Sequence, residues 1–516
     1  MSSLLACRAV NSMSNWAALR ATLGGSKNKD RRQPIVRDDD DVAARRGNPT
    51  TTQKHNRKRQ KRSSVEDGKS ATEKTSVQVV KDDGGASRRR PDDAVHDDIK
   101  DVSPPVMLDV NFRPGLLDDG PTTFVGDADA ERAALARRSD LSSERGIDAV
   151  RAVARVEAAR LRFVTHMCMC FERACGARIG KRWCSSYEEW IATARETVLI
   201  PTSEQSREAL AEKLAKHGAG NAEIEESCDI MMRKSWELAR NLARERSHRS
   251  AGSSSSLEEK VRLKRDAASV TLALGSTSVR VNAEHFDKLR KLYERCNDAM
   301  REDAFITATF AMVCRYDAAQ GGQVRFAGGH HTALHGEAFD VLRDGLGCGM
   351  ELFASPLNCR WPKFCSAHGD VDAPFGSVGS YDGFAPKRGC YEVNPPFEPA
   401  LVANVAKHLD ARLADADALD ESLTFIVVTP HWPNRPCWEA LRRSRFCRRV
   451  EVIPLREHGY YEGAQHRKKS KYRLSSCDSS LIFLQSASGT RATPVTDAVV
   501  RRLRMAFAPK KDAKKK

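Results

Sequence analysis

The run Cys390-Tyr391-Glu392-Val393-Asn394-Pro395-Pro396-Phe397 decides the reading of this chain. Cys390–Val393 is a short, largely apolar segment that ends in a proline turn, the mark of a buried strand. Beyond the turn the pattern alternates. Leu401–Leu413 reads as a helix, Leu423–Thr429 as a buried strand, Cys437–Arg445 as a helix and Val450–Pro454 as a strand. Leu481–Gln485 reads as a strand paired with the last of these or lying near it, and Met350–Ala354 supplies a strand upstream. Strands alternating with helices predict an α/β fold with a doubly wound, mostly parallel, Rossmann-like sheet. Such sheets bind ligands at the carboxyl ends of their strands.

The turn itself carries chemistry. The exocyclic amine of adenine is a poor nucleophile, because its lone pair is delocalised into the ring. A methylating enzyme has to localise that pair by offering acceptors to both N–H hydrogens. The Asn394 side-chain oxygen and the Pro395 carbonyl are the candidate acceptors. A following proline holds Asn394 extended, and Pro395-Pro396 stiffens the loop. Phe397 offers a flat face on which a base can stack, for about 1–3 kcal/mol. The turn therefore points to N6-methylation of adenine with S-adenosyl-L-methionine as methyl donor; the plainer alternative is a proline-rich turn after a strand. Upstream, Glu351–Asn358 ends a strand in small residues, where a methionine carboxylate or a ribose can approach the backbone. Phe375-Gly376-Ser377-Val378-Gly379 is a second small-residue loop. Asp370, Asp372 and Asp382 read equally as ribose-hydroxyl acceptors and as solvated loop acids.

Residues 1 to about 105 are polar, charged in both signs and nearly free of aromatics, so burial cannot repay their ordering. A disordered tail over 1–126 is expected. From there Val150, Val153, Val156, Leu161, Phe163 and Val164 follow helical spacing. Further helices are expected at Glu188–Val198, Glu204–His217 and Ala222–Arg246, making a helical domain over 127–248. Ala251-Gly252-Ser253-Ser254-Ser255-Ser256 lies in a flexible linker, 249–258. The α/β domain then runs over 259–500, beginning with helices at Ala283–Arg301 and Asp303–Gln320, and a basic tail closes the chain at 501–516.

The 516 residues hold 85 Lys+Arg against 69 Asp+Glu, a net charge of +16. That surplus favours a polyanionic partner through phosphate contacts. Fifteen cysteines without a secretory leader favour a reducing compartment. No apolar run approaches the roughly 18 residues of a membrane span, so no membrane partner is expected. Lys54–Arg62 and Lys510–Lys516 read as nuclear-import or RNA-contacting patches or as solvated runs, and residues 1–29 read alternatively as a transit peptide. His166, Cys168, Cys170 and Cys175 fall within one helical pattern, where Cys168 and Cys170 point apart. No metal site is expected there, nor at Cys359, Cys365 and His368.

The stretches Phe353–Asn358, Phe375–Ser377, Glu392–Phe397, Phe425–Trp432, Glu457–Tyr460, Gly463–His466 and Leu481–Gln485 together resemble the phosphorylated CTD-interacting factor family. These are cap-specific adenosine N6-methyltransferases, and the resemblance runs from about Val281 to Gln485. It implies a methyltransferase domain that binds S-adenosyl-L-methionine through Phe353, Ala354, Ser355, Pro356, Asn358, Ser377 and Asn394, with Asn394–Phe397 as the catalytic loop. The implied acceptor is N6 of 2′-O-methyladenosine beside a 7-methylguanosine cap, so the implied partner is the capped mRNA 5′ end and the implied location the nucleus.

Trp432 matches a cap-side aromatic, consistent with indole as the best face for a cationic base; it also reads as a core tryptophan. Glu457, His458, Tyr460 and Gln485 match substrate-contacting positions. Among the helical domain's basic residues, Arg160, Arg162, Lys181 and Arg182, the choices for cap-phosphate contact are Arg162 and Arg182. Family members often begin with a WW domain that binds the RNA polymerase II C-terminal domain. Residues 1–126 contain only Trp16, so a chain without a WW module is expected, and recruitment to the polymerase through one is in doubt. Glu398-Pro399 departs from the family pattern, which places acids slightly later. The competing functions are methylation of adenine in internal RNA or in DNA, and a catalytically idle adaptor binding RNA or the polymerase tail.

Overall fold

A computed structural model describes residues 144–180, 183–194, 199–248, 259–297, 301–323, 332–467 and 472–509. The tail at 1–126, residues 127–143 of the expected helical domain, the linker at 249–258 and residues 510–516 of the basic C-terminal tail therefore lie outside the described residues, while 501–507 of that tail continue a helix that buries Leu503, Ala506 and Phe507.

Among the described residues four helices lead: α1 (Glu144–Ile179), α2 (Trp183–Ile191), α3 (Glu204–Lys216) and α4 (Asn221–His248). On α1, Ala154, Ala158, Leu161, Val164, Cys168, Phe171 and Cys175 repeat every three or four residues and are buried together. The Ser203 hydroxyl caps α3 by accepting from the Ser206 amide. The second helix differs from its expected Glu188–Val198 span. Its apolar face, Tyr187 and Trp190, packs on Phe171 of α1. It stops at Ile191 because the Thr193 hydroxyl takes the Trp190 carbonyl that another helical turn would need.

A three-stranded antiparallel sheet follows, β1 (Arg262–Arg265), β2 (Ser269–Leu274) and β3 (Thr277–Asn282). Val270, Leu272, Leu274, Val279 and Val281 alternate inward and share the core of the helices, a pattern that the sequence reading passed over. Gly275, at φ +56°, makes the β2–β3 turn that a side chain would strain. Helices α5 (Ala283–Cys296), α6 (Glu302–Ala319) and α7 (Gly336–Leu346) lead into the main sheet.

The remaining elements, in chain order, are β4 (Met350–Ala354), β5 (Phe364–Ser366), α8 (Gly369–Asp372), β6 (Gly389–Val393), α9 (Pro399–Ala418), β7 (Leu423–Pro430), α10 (Pro436–Arg443), β8 (Cys447–Ile453), β9 (Gly459–Tyr461), β10 (Tyr472–Leu474), β11 (Ser479–Gln485), α11 (Ala487–Ala492) and α12 (Asp497–Phe507). The main sheet runs β5-β4-β6-β7-β11-β8. Strands β5, β4, β6 and β7 are parallel, while β11 is antiparallel to both β7 and β8, so the fold is α/β with a mixed sheet. One face packs against α9 and α10 through Leu352, Tyr391, Val393, Phe425 and Val427. The other packs against α7 and α12 through Cys390, Ile426, Val428 and Phe483. Chain order reverses at β4, with β5 on one side and β6 on the other. Sheets of this kind place their ligand crevice at such a switch point, here at the carboxyl ends of β4 and β6.

Candidate active site

Strand β6 runs alongside β4, with Glu392 beside Glu351, and delivers Asn394 to the mouth of the crevice. The Asn394 side chain is buried, and its Nδ2 donates to the Thr332 carbonyl at 3.2 Å. A carbonyl only accepts, so this contact fixes which end of the amide is which and turns Oδ1 the other way, as an acceptor. The turn beyond it is closed by the Glu398 amide donating to the Pro396 carbonyl at 2.7 Å, which does not draw on the Pro395 carbonyl. Glu398 then accepts from the Ala400 and Leu401 amides as the cap of α9. Its departure from the family pattern is thus a helix start. Phe397 is half-buried and meets Tyr460 edge-on, with ring centroids 6.2 Å apart.

At the end of β4, Asn358 Oδ1 accepts from both the Ser355 amide (2.7 Å) and the Ser355 hydroxyl (2.8 Å). That oxygen shapes the turn, so what Ser355–Asn358 presents to the crevice is a fixed backbone. Phe353 lies against Tyr381 at 4.5 Å, and Ala354 is half-buried. Pro356 is buried. Ser377 pairs with Phe364 of β5, and its hydroxyl shares a 2.7 Å bond with that of Ser366. The two expected small-residue loops and the Asn-Pro-Pro-Phe turn therefore meet at one edge of the sheet.

Acids behind this edge are held out of water. Burial pushes Glu392 well up, with Glu351 beside it adding to the effect. Burial raises Glu351 to about 7, against the amides of Arg360 and Trp361 that donate to it. Asp372 is fully buried and accepts from the Tyr316 hydroxyl at 2.6 Å. Burial lifts its carboxyl to about 7, partly opposed by bonds from Tyr316 and Ser366. Its folded value exceeds the unfolded one, so its contribution is present at low pH and lost as pH rises through about 7. Asp372→Asn removes that titration. The variant is expected to gain about 1 kcal/mol relative to the parent between pH 6 and pH 8. Urea unfolding at both pH values measures this, and a constant difference would count against it. Asp370, more exposed, is tied to Arg315, and Asp382 to Ser380 and the Gly383 amide.

Trp432 follows β7, half-buried, with the Arg435 guanidinium 5.0 Å from its ring centroid. Its indole already serves as a face for a cation. Glu457 is exposed, 3.9 Å from Arg504. His458 and Tyr460 are buried, with their polar ends turned inward to Ser479. Gln485 is a correction. It pairs with Thr424 at the amino end of β7, roughly 20 Å from Pro430 at the rise of a strand, and its amide is spent on Thr424, Gly489 and Thr493. Because β11 runs antiparallel, its first residue, Ser479, stands at the site and its last does not.

Arg162 is exposed on α1 and donates to Thr277, while Arg182 and Lys181 lie outside the described residues. Arg160 is buried against Glu157, which also binds Arg315. Gly463–His466 packs behind β3, where Asn282 donates to the Gln465 and His466 carbonyls. Cys170 lies 3.7 Å from His166. Among the described residues no group of three or more His, Cys, Asp or Glu could hold a metal ion, and no helix is long and apolar enough to cross a membrane. Thr332 and Ser479 had no sequence signature, since each matters only through a partner distant in sequence.

A family model described as the phosphorylated CTD interacting factor 1 WW domain matches residues 288–463. Two curated relatives, from human and mouse, are both named mRNA (2′-O-methyladenosine-N(6)-)-methyltransferase. They are 33% and 34% identical to this chain over 216 residues, which is 41% of this chain and 30% of each relative. The expectation of a chain without a WW module is thereby corrected: the matching model carries that designation, and it covers the stretch from α5 to the loop after β9. The expectation rested on residues 1–126, which lie outside the described residues, while the matched stretch contains Trp361, Trp432 and Trp438.

Proposed function

From the match of residues 288–463 to the phosphorylated CTD interacting factor family, we propose that the chain is an S-adenosyl-L-methionine-dependent methyltransferase of that family, acting on N6 of the 2′-O-methyladenosine next to an mRNA cap. The observation that carries the reading is Asn394, whose Nδ2 is committed to the Thr332 carbonyl so that Oδ1 is left as the acceptor, on the strand beside the sheet's switch point.

The bound cofactor supplies an electrophilic methyl group on a sulfonium. Residues of the β4 edge, Phe353–Asn358, and Ser377 fit its holder, because they offer fixed backbone and an apolar ring at the carboxyl end of the parallel strands. Asn394 Oδ1 and the Pro395 carbonyl accept the two amine hydrogens and concentrate the nitrogen lone pair on the side facing the methyl group. Phe397 stacks on the base. The amine proton leaves after attack, to water, so no strong base is required. Trp432 takes the cationic cap base in exchange for Arg435, and Glu457 is the acceptor for that base's N–H groups.

Trp432→Ala is expected to raise KM for capped RNA about tenfold while leaving kcat within about twofold, as loss of uniform binding does. An unchanged KM in steady-state assays would return Trp432 to the core. The family's description and the +16 charge also favour the phosphorylated polymerase tail as a partner and the nucleus as the location.

The test supplies labelled cofactor with three acceptors: capped RNA beginning with 2′-O-methyladenosine, the same RNA uncapped, and DNA. Transfer confined to the first is expected. Equal transfer to uncapped RNA or to DNA would replace cap specificity with general adenine methylation, and no transfer at all would leave a binding protein.

A further inference from the structure

Ser479 opens β11 opposite Pro430 of β7 and Ile453 of β8, at the carboxyl end of β7. Its Oγ lies 2.7 Å from the Tyr460 hydroxyl and 2.7 Å from His458 Nε2. His458 Nδ1 lies 2.9 Å from the Pro454 carbonyl. That carbonyl can only accept, so Nδ1 carries the ring proton and Nε2 is the lone pair. Ser479 must then donate to Nε2, and the Tyr460 hydroxyl donates to Ser479. Every link has one allowed direction, and all three side chains are buried. Burial also depresses the His458 pKa, with the Pro454 bond opposing, which keeps the ring neutral and the order of donors constant near pH 7.

At its outer end this chain of bonds holds the ring that backs Phe397: Tyr460 meets Phe397 edge-on, at 72° between planes. Phe507 of α12 packs against both Tyr460 and His458, so the tyrosine has a wall behind it as well as a tether. We propose that Ser479 is a positioning residue, which fixes Tyr460 and through it holds Phe397 at the angle where the acceptor base stacks. This rests on the reading of Phe397 as the stacking face. Within it, Tyr460 and His458 serve from behind the site, where their buried polar ends place them.

The test uses the full chain and its Ser479→Ala, Ser479→Thr and Tyr460→Phe variants. Each is assayed for methyl transfer to capped RNA, for cofactor affinity, and for quenching of 2-aminopurine placed at the acceptor nucleotide. Ser479→Ala is expected to cut kcat/KM for RNA about tenfold to a hundredfold, as small misplacements do, with reduced quenching and cofactor affinity within about twofold. Ser479→Thr, which keeps the hydroxyl, is expected to recover most of the loss. Tyr460→Phe breaks the same link, so combining it with Ser479→Ala should add little to either alone.

Parent-like transfer and quenching in Ser479→Ala would overturn the proposal. So would a loss that threonine does not rescue and that cofactor affinity shares, because that pattern is general damage to the fold. A parent that quenches but transfers to no acceptor would sink the proposed function alone, leaving quenching in the variants to decide the role of Ser479. A parent that does neither overturns both.

Discussion

Replacing Asn394 with alanine is expected to lower methyl transfer by about 10²–10³-fold, the cost of losing one preorganised group at a reacting centre. The side chain sits between two demands. Its nitrogen is committed to the Thr332 carbonyl, and its oxygen is thereby aimed without any further group having to turn it. Alanine removes the acceptor and also releases Thr332, but only one hydrogen bond is lost from the fold, worth about 1 kcal/mol. Activity should therefore fall far more than thermal stability. Asn394→Asp keeps an acceptor but sets a carboxylate against the Thr332 carbonyl, and it should be impaired as well. Single-turnover transfer from labelled cofactor to capped RNA measures the effect. A rate within threefold of the parent for the alanine variant would remove Asn394 from the chemistry.

The second large effect is on stability. Glu157 of α1 is 1% exposed and binds two guanidinium groups, Arg160 at 2.8 Å and Arg315 of α6 at 2.7 Å. Arg315 continues to Asp370 at 2.9 Å, in the helix that follows β5. One carboxylate thus serves two buried cations and links the leading helices to the crevice edge. Glu157→Ala leaves both cations short of charge, and a loss of about 3–5 kcal/mol in unfolding free energy is expected. Burial alone would raise the Glu157 pKa, but the bonds and charges of Arg315 and then Arg160 outweigh it and hold the group below the ordinary carboxylate range. Its stabilisation is therefore complete above the unfolded value and is lost as pH falls through the lower folded one. The parent should lose stability in acid where the variant does not. Urea titrations at pH 7 and in the acid range test both statements; a difference below about 1 kcal/mol at pH 7 would mean that the network contributes little.

The longer strands and helices of the α/β part could be read from the sequence because apolar runs such as Leu423–Thr429 are long and sharply bounded. The reading also singled out Asn394–Phe397 and the β4 loop as candidates, since strand ends beside prolines and small residues are local features. Several things escaped it, among them α7, the three-residue strands β5, β9 and β10, and α12. The β1–β3 sheet lies in a stretch with clear alternation at Val270, Leu272 and Leu274, but its strands are short and one is wholly exposed. The direction of β11 is a property of pairing and leaves no trace in Ser479–Gln485, so Gln485 was placed at the wrong edge of the sheet. The partners of Asn394 and Tyr460 are Thr332 and Ser479, and no spacing rule links residues so far apart in the chain.

The antiparallel β11 also constrains how the protein can be made. Strands β7 and β8 leave the ribosome first; β7 can pair with β6 on one side, but its other edge and β8 find their neighbour only when β11 slides between them. Until then the apolar β7 and the charge-bearing β8 present open hydrogen-bonding edges, the condition that invites pairing with another nascent chain. Synthesis must run to residue 485 before the sheet can close. The same late strand brings Ser479 to Tyr460, so an unfinished chain has the Asn394–Phe397 turn without the tethered tyrosine beside it. Completion of the sheet and readiness of the site are therefore one event, timed by the last strand to emerge.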